Sequence, residues 1–319
     1  MKTIGVLTSV GDAPGMNAAV RSVVRTAIAL GMNVKGVYGG YNGLIEGDIA
    51  DMDVRSVSDI MNHGGTMLYT ARSPKFKTEE GVQAAIDNCK RHGIEGLVVI
   101  GGDGSYRGAR DLSLKGIPCV GVPGTIDNDI SSTDYTIGFD TAMNTAMEMA
   151  DKLRDTCQSH DRCSVVEVMG RNAGHLALQC GIAVGATAIM VPEVEISVDD
   201  IINKIKKAQL SGKKHFIVVV AEGVGGVEEI AKRIEEQTGI SSRATILGHV
   251  QRGGNPTVRD RVAATQLGYA AVKLLEKGIG NRVVGFSKNE IVDYDIYEAL
   301  NMKKPFDKAM YDIANITSI

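Results

Sequence analysis

Gly96-Leu-Val-Val-Ile-Gly-Gly-Asp-Gly-Ser-Tyr106 decides the fold. Leu97 to Ile100 is a short apolar run with three β-branched residues, closed off by Gly96 and by Gly101-Gly102. That pattern predicts a buried strand of a parallel sheet. Gly101, Gly102 and Gly104 let the backbone turn tightly and approach a ligand with no Cβ in the way. A helix is expected from Ser105 to about Leu114, with its free N–H groups pointing back at the turn. Strand, glycine turn and helix N-terminus together make an anion site, favoured by unpaired donors and the helix dipole. Asp103 is the odd member, because a carboxylate beside a phosphate is repulsive unless a cation lies between them. Mg²⁺ is held by one or two carboxylates plus phosphate oxygens, so the stretch points to a metal–nucleotide site. The plainer reading is a βα turn in which Asp103 caps the helix.

The same alternation extends to both sides. Ile4–Ser9, Asn33–Tyr38 and Pro118–Val122 read as strands, and Met16–Leu30 and Thr78–Arg91 as helices. The second of these helices has Glu79 and Glu80 in its first turn and Lys90 and Arg91 in its last, which suits the helix dipole. Four strands alternating with helices before residue 125 imply a parallel α/β sheet. A long amphipathic helix is expected from about Thr141 to Ser159. Strands follow at Ser164–Val168, Ala188–Val191, Phe216–Ala221 and Ala244–Leu247, with helices at Gly174–Val184, Val198–Ala208 and Val227–Gln237 between them. Val258–Lys277 is a last long helix and Arg282–Phe286 a last strand. Ligands of such sheets bind at the carboxyl ends of strands. That rule selects loops 9–15, 101–105, 123–129, 169–174 and 249–254.

At 319 residues, two domains are expected. Hydrophobic residues make up 44% and charged residues 23%, the balance of a soluble globular chain with a large core. The net charge is −3 and there is no basic block, which removes electrostatic support for nucleic-acid binding. Cys89, Cys119, Cys157, Cys163 and Cys180 are odd in number and form no CxxC pair, so they read as reduced thiols in a reducing compartment. The start of the chain lacks a signal-peptide layout and no apolar run reaches ~18 residues, so a cytoplasmic protein without a membrane partner is expected.

Pro123-Gly-Thr-Ile-Asp-Asn-Asp129 is unusually polar for a loop after a buried strand. Asp127 and Asp129, with Thr125 ahead of them, divide naturally between base and metal work; the plainer reading is a pair of Asx turns. In Val168-Met-Gly-Arg-Asn-Ala-Gly174, Arg171 sits where a helix begins, a place unfavourable to a cation unless an anion shares it. Arg252, in Gly248-His-Val-Gln-Arg-Gly-Gly254, offers a bidentate fork beside two glycines. His249 reads either as a satisfied buried histidine or as a catalyst. Glu222 reads as an acceptor for sugar hydroxyls or as a helix-capping or solvated acid. Arg21 and Arg25, at i and i+4, repel unless an anion bridges them or water solvates both.

Together these loops resemble the bacterial type of the ATP-dependent 6-phosphofructokinase family. The matching stretches are Gly11-Asp-Ala-Pro-Gly-Met-Asn17, Ile100-Gly-Gly-Asp-Gly-Ser105, Pro123-Gly-Thr-Ile-Asp-Asn-Asp129, Met169-Gly-Arg171 and Gly248-His-Val-Gln-Arg-Gly-Gly254. The glycine–aspartate stretch alone is shared with NAD kinases and lipid kinases; five stretches in the family's order are specific. The resemblance implies two three-layer α/β/α domains with mainly parallel sheets, between which the chain crosses more than once. Residues 1–138 plus 251–303 would bind ATP, and 139–250 plus 304–319 the sugar phosphate. It implies transfer of the ATP γ-phosphoryl group to the 1-hydroxyl of fructose 6-phosphate in a homotetramer. Asp127 would be the base, and Asp103 would hold Mg²⁺. Gly11, Arg72, Ser73, Gly102, Gly104 and Ser105 would bind ATP. Thr125, Asp129, Met169, Gly170, Arg171, Glu222, His249 and Arg252 would position the sugar phosphate and the transferring group, with Arg162 and Arg243 reaching in from a neighbouring subunit. Arg21, Arg25, Arg154, Gly185 and Lys213 would take an ADP or phosphoenolpyruvate effector.

Three positions depart from the family's pattern. Val10 replaces the first glycine of the usual Thr-Ser-Gly-Gly-Asp, and a β-branched residue disfavours positive φ. Thr187 stands for an acidic residue of the effector site and Ser211 for a basic one. The nearest rival reading is the pyrophosphate-dependent relative, in which the Gly104 position tends to be Asp and the Gly124 position Lys; here both are Gly. No G-x-G-x-x-G follows the first strand, which argues against a dinucleotide-binding dehydrogenase, and Asp127 and Arg252 are both present, which argues against a non-catalytic nucleotide sensor.

Overall fold

The computed structural model describes residues 1–318. In chain order the elements are β1 (Thr3–Thr8), α1 (Met16–Ala29), β2 (Asn33–Val37), α2 (Tyr41–Glu46), β3 (Ile49–Met52), α3 (Glu79–Arg91), β4 (Gly96–Gly101), α4 (Asp103–Leu114), β5 (Cys119–Pro123), α5 (Phe139–His160) and β6 (Cys163–Val168). They continue as α6 (His175–Ala183), β7 (Ala188–Met190), α7 (Val198–Leu210), β8 (Phe216–Ala221), α8 (Val227–Thr238), β9 (Ser242–Ile246), α9 (Val258–Glu276), β10 (Arg282–Ser287), β11 (Glu290–Asp295), α10 (Ile296–Asn301) and α11 (Lys308–Thr317). Short 3₁₀ turns cover Lys75–Lys77 and Gly248–Arg252.

Two compact units result. Unit 1 holds Met1–Ile126, Ile130–Thr141 and Arg252–Lys304; unit 2 holds Asp127–Asp129, Ala142–Gln251 and the chain from Pro305 onward. The chain therefore passes from one unit to the other after Ile126, Asp129, Thr141, Gln251 and Lys304.

Unit 1 is built on a seven-stranded sheet of order β11-β10-β5-β4-β1-β2-β3. Its five inner strands are parallel, whereas β3 and β11 pair antiparallel at the two edges. Every residue of β4 is buried, as its unbroken apolar run predicted. Leu7, Leu97, Val99 and Cys119 pack with α3 and α4 on one face. Alternation sends Ile4, Val6, Val98, Ile100 and Val120 to the other side, equally buried, where α1 and α9 lie. Unit 2 carries a parallel four-stranded sheet of order β7-β8-β6-β9. Val165, Phe216, Val218 and Val220 pack against α7 and α8.

The α/β character and the mainly parallel pairing follow the sequence pattern. Five strands, not four, precede residue 125: Ile49–Met52 was missed, because an exposed edge strand with Asp51 in it has no apolar run to announce it. For the same reason β11, with no fully buried residue, escaped. The helix after the glycine turn starts at Asp103 rather than Ser105, and Gly102 is its cap. Asp103 is therefore a first-turn residue and not the cap considered above.

Candidate active site

In unit 1, β4 delivers the chain into the Gly101–Gly104 turn, and the three glycines differ in what they do. A Cβ on Gly101 would sit 2.4 Å from Ser105 Oγ, so this glycine serves packing. On Gly102 the nearest atom would be Thr125 Cβ at 4.0 Å, and on Gly104 nothing lies within 4 Å. The N-terminal turn of α4 therefore opens onto free space, with backbone N–H groups that a helix leaves unpaired. Asp103 accepts from Arg107 Nε at 3.1 Å and Nη2 at 3.0 Å, both on Oδ2. Ser105 is buried, and its carbonyl accepts from the Tyr41 hydroxyl at 2.6 Å. Tyr41 stacks on Phe76 with centroids 4.1 Å apart and lies against Gly108, where any Cβ would meet its ring.

The other nucleotide candidates come to the same strand ends. Thr8 Oγ1 donates to the Tyr69 carbonyl at 2.9 Å. Buried Asn17 accepts from Met67 N–H at 2.7 Å and donates to the His63 carbonyl at 3.2 Å. These bonds draw the loop ending in Arg72 and Ser73 toward β1, and Asn42 Nδ2 holds the Arg72 carbonyl at 3.1 Å. Asn17 was not singled out from the sequence, since its pinning role depends on a loop fifty residues away. Gly11 has φ 86°, whereas Val10 is absent from the residues with positive φ and is 40% exposed. The strain expected of Val10 does not arise, because the turn places its left-handed residue one position later. Arg252 Nη1 donates to the Asp12 carbonyl at 3.3 Å and lies 3.3 Å from a Cβ built on Gly11. Among the described residues, no group of three or more His, Cys, Asp or Glu could hold a metal alone. A single exposed carboxylate beside an open helix N-terminus fits Mg²⁺ brought by a nucleotide's phosphates, not a caged metal.

In unit 2 the turn after β6 is shaped by two buried or half-buried acceptors. Arg171 takes φ 58°, a left-handed conformation costly for a residue with a Cβ. Glu222 Oε1 accepts from Gly170 N–H at 3.2 Å and from Arg171 N–H, which holds that conformation. Glu222 is thus already engaged with this backbone. Fully buried Gln251 accepts from Met169 N–H at 3.2 Å and donates to the Gly248 carbonyl at 2.9 Å, linking the turns after β6 and β9. It passed unnoticed in the sequence because it sits between more conspicuous neighbours. The Arg171 guanidinium lies 3.9 Å from Asp129. Thr125, Asp127 and Asn128 are buried, at 6%, 6% and 7% exposure. His249 is exposed, so the buried-histidine reading does not apply.

Arg162 and Arg243 do not join Met169–Arg171. Arg162 precedes β6 and Arg243 pairs with Ser164, so both stand at the amino ends of the parallel strands. The turn at Met169 is at the carboxyl end, about 17 Å along β6 from the Arg243 level and about 23 Å from Arg162.

Arg21 and Arg25 line a cavity of about 420 Å³ with Arg55, Arg261, Asp59 and Asn62. Among the described residues, Arg25 Nε is a buried donor without a hydrogen-bond partner. Arg55 and Arg261 were not foreseen, because neither has a spacing relation to α1. In unit 2, Arg154 Nη2 is likewise buried and unpartnered. Burial and the nearby Arg154 cation push the Lys213 ammonium below its usual range. Lys213 Nζ donates to Thr187 Oγ1 at 3.4 Å. Gly185 takes φ 56° with open space where a Cβ would be. Ser211 caps the end of α7 and donates to the Ala208 carbonyl at 2.8 Å.

A family model described as phosphofructokinase matches residues 3–275. The ATP-dependent 6-phosphofructokinase of Bacillus cereus strain B4264 is 57% identical over 319 residues, 100% of each chain. That of Clostridium botulinum strain Loch Maree is 57% identical over 318 residues, again 100% of each. Among solved structures, phosphofructokinase from Saccharomyces cerevisiae matches with a TM-score of 0.90 and 36% identity, over 100% of this chain and 48% of that one. No helix of the described residues is long and apolar enough to cross a membrane.

Proposed function

The chain belongs to the phosphofructokinase family, and on that footing we propose that it transfers the γ-phosphoryl group of ATP to the 1-hydroxyl of fructose 6-phosphate. The products are fructose 1,6-bisphosphate and ADP. The observation that carries the choice of donor is the open space over Gly104 at the N-terminus of α4. Beyond it, Gly104, Asp111 and Lys115 share one face of α4, and Asp111 and Lys115 line a cavity of about 200 Å³ with Phe76, Lys77 and Val82. Seven residues of helix span about 10 Å, the reach from a triphosphate to its base. The open space at Gly104 favours a nucleoside triphosphate, whose distal part needs that room, over pyrophosphate, which does not.

Phosphoryl transfer needs alignment and charge neutralisation more than covalent help. The α4 N-terminus, Gly11, Arg72, Ser73 and Ser105 would hold the triphosphate, with Arg252 against the Gly11 loop. Asp103 would hold Mg²⁺, which when bound supplies positive charge to the phosphate oxygens. Asp127 would take the proton of the acceptor hydroxyl as the bond to phosphorus forms. Arg171 would neutralise the charge of the transferring group, its backbone set by Glu222 and its guanidinium near Asp129. Thr125, Met169, Gly170, His249 and Glu222 would order the sugar phosphate. Arg162 and Arg243 stand at the wrong end of their own sheet for this work, so each would serve a neighbour's site in the homotetramer that the family resemblance implies. The arginine-lined cavity of unit 1 and the Arg154–Lys213 group of unit 2 would bind an anionic effector such as ADP or phosphoenolpyruvate. A cytoplasmic setting suits these substrates.

The test is a coupled assay with purified protein, fructose 6-phosphate and Mg²⁺, supplied with ATP or pyrophosphate as sole donor. Turnover is expected with ATP and not with pyrophosphate. Comparable rates with both would remove the argument from Gly104.

A further inference from the structure

Asp260 is fully buried, and phosphoryl transfer as described leaves it no part. It lies in the first turn of α9, surrounded by donors. Gly138 N–H donates to Oδ1 at 2.7 Å and Thr141 N–H to Oδ2 at 2.8 Å. The hydroxyls of Tyr135 and Thr141 donate to it as well. Gly138 and Thr141 flank the start of α5, so Asp260 caps that helix from another element and satisfies N–H groups that its own turns cannot. Its surroundings are tied in turn. Thr257 N–H donates to Thr141 Oγ1 at 3.0 Å, and Asp260 N–H to Thr257 Oγ1 at 3.3 Å. The Arg259 guanidinium lies 4.4 Å above the Tyr135 ring. Burial raises the Asp260 carboxyl above its usual range, and the hydrogen bonds from Thr141, Tyr135 and Gly138 oppose that rise.

The strip that Asp260 holds is also the strip that holds Thr125. Thr125 N–H donates to the Ile137 carbonyl at 3.1 Å, and Ile137 N–H to the Pro123 carbonyl at 2.9 Å. Thr136 Oγ1 donates to the Thr125 carbonyl at 2.7 Å. The backbone two residues before Asp127 is therefore clamped to residues 136–137, and those are bracketed by the Tyr135, Gly138 and Thr141 bonds to one carboxylate. Removing a charge from water is costly, and an apolar core of the same volume is often as stable. Stability alone does not ask for an aspartate here, whereas four donors converging on one point do.

We propose that Asp260 is a positioning residue for phosphoryl transfer: it fixes residues 135–141, and through them Thr125, so that Asp127 meets the acceptor hydroxyl in line. This rests on the kinase reading and on Asp127 as base.

The experiment measures kcat, KM for both substrates and thermal stability in the full-length Asp260→Asn, Thr141→Val, Thr141→Ser and Asp127→Asn proteins. Misplacement of a reacting group by 1 Å costs up to about 100-fold in rate. Asp260→Asn is expected to lose about ten- to 100-fold in kcat with KM for ATP little changed. Thr141→Val is expected to lose at least about threefold, and Thr141→Ser, which keeps the hydroxyl, to match wild type. If Asp260→Asn does not fold, the Thr141 pair decides alone. A role confined to stability would lower the melting temperature while leaving kcat per folded site unchanged, and that outcome overturns the proposal. Asp127→Asn separates the two readings. Loss of turnover in it with full kcat in the Asp260 and Thr141 variants overturns the positioning role only. Full turnover in Asp127→Asn overturns the base assignment and the positioning role together.

Discussion

Arg107 donates two hydrogen bonds, from Nε and Nη2, to one oxygen of Asp103, from one turn further along α4. The carboxylate proposed to hold Mg²⁺ is thus already paired with a cation. The pair is half exposed on both sides, at 54% and 41%, and exposed pairs of this spacing are weak. An incoming divalent cation therefore displaces Arg107 at little cost. Arg107→Gln is expected to change KM for Mg·ATP by no more than about fivefold. Asp103→Asn, by contrast, should abolish most activity at millimolar Mg²⁺. A steady-state titration of Mg·ATP on both variants checks this, and an Arg107 effect as large as the Asp103 effect would refute it.

Asp127→Asn is expected to lower kcat by at least the ~10²–10⁴-fold of a missing general base. KM for fructose 6-phosphate should move far less, because the proton passes only in the transition state. Retention of more than about a tenth of the wild-type kcat means that another group takes the proton.

The placement of Arg162 and Arg243 at the amino ends of β6 and β9 leads to a mixing experiment. Arg162→Ala and Arg243→Ala are each expected to raise KM for fructose 6-phosphate, since on the proposed reading each would remove a charge-assisted hydrogen bond to phosphate. Arg162→Ala protein and Asp127→Asn protein, each nearly inactive at low substrate, should regain activity after subunit exchange. Exchange demonstrated by mass with no recovery argues against a shared site.

Thr187 and Ser211 are satisfied within unit 2, by Lys213 and by the end of α7. Neither offers a charge to an effector, so the differential affinity that drives a shift between states is small. Saturation curves for fructose 6-phosphate are expected to move less than about tenfold with millimolar ADP or phosphoenolpyruvate. Thr187→Glu should alter the response. A wild-type shift beyond tenfold, or a variant indistinguishable from wild type, contradicts this.

Burial pushes the thiols of Cys89, Cys163 and Cys180 up to about 12, and that of Cys119 higher still. At pH 8 only about one such thiol in 10⁴ is ionised. Since the thiolate is the nucleophile, iodoacetamide at pH 8 should leave these four unmodified in the native protein over an hour and label them all in denaturant. Mass spectrometry reads the count, and rapid native labelling of any of the four would show an opening of its core.

How much of this was legible beforehand depends on the range of the interactions. The Leu97–Ile100 strand, its glycine turn and the loops after β1, β5, β6 and β9 are local signals: apolar runs ended by glycines. The edge strands β3 and β11 lack such runs, and nothing local marks them. Asn17, Gln251 and Asp260 were missed for a related reason. Each is a polar residue whose partners lie far away in sequence, so its burial follows from tertiary packing and not from spacing. Arg171 was noticed for its charge, yet its left-handed backbone and the Glu222 acceptor that holds it emerge only in three dimensions. The opposite placement of Arg162 and Arg243 depends on strand polarity, which a list of motifs does not contain.

The five passages of the chain between the two units bear on how the protein is made. The strands of unit 2 are contributed by residues 163–246, so its whole sheet has been synthesised before β10 and β11 exist. The sheet of unit 1 begins first and finishes last, because β10 pairs with β5 across some 160 intervening residues. Its β5 edge remains an open template until then, and such edges invite pairing with other chains. Emergence from the ribosome should therefore be followed by a waiting period in which unit 2 can acquire its sheet while unit 1 remains vulnerable to aggregation. For the same reason no single proteolytic cut frees either unit as one continuous polypeptide.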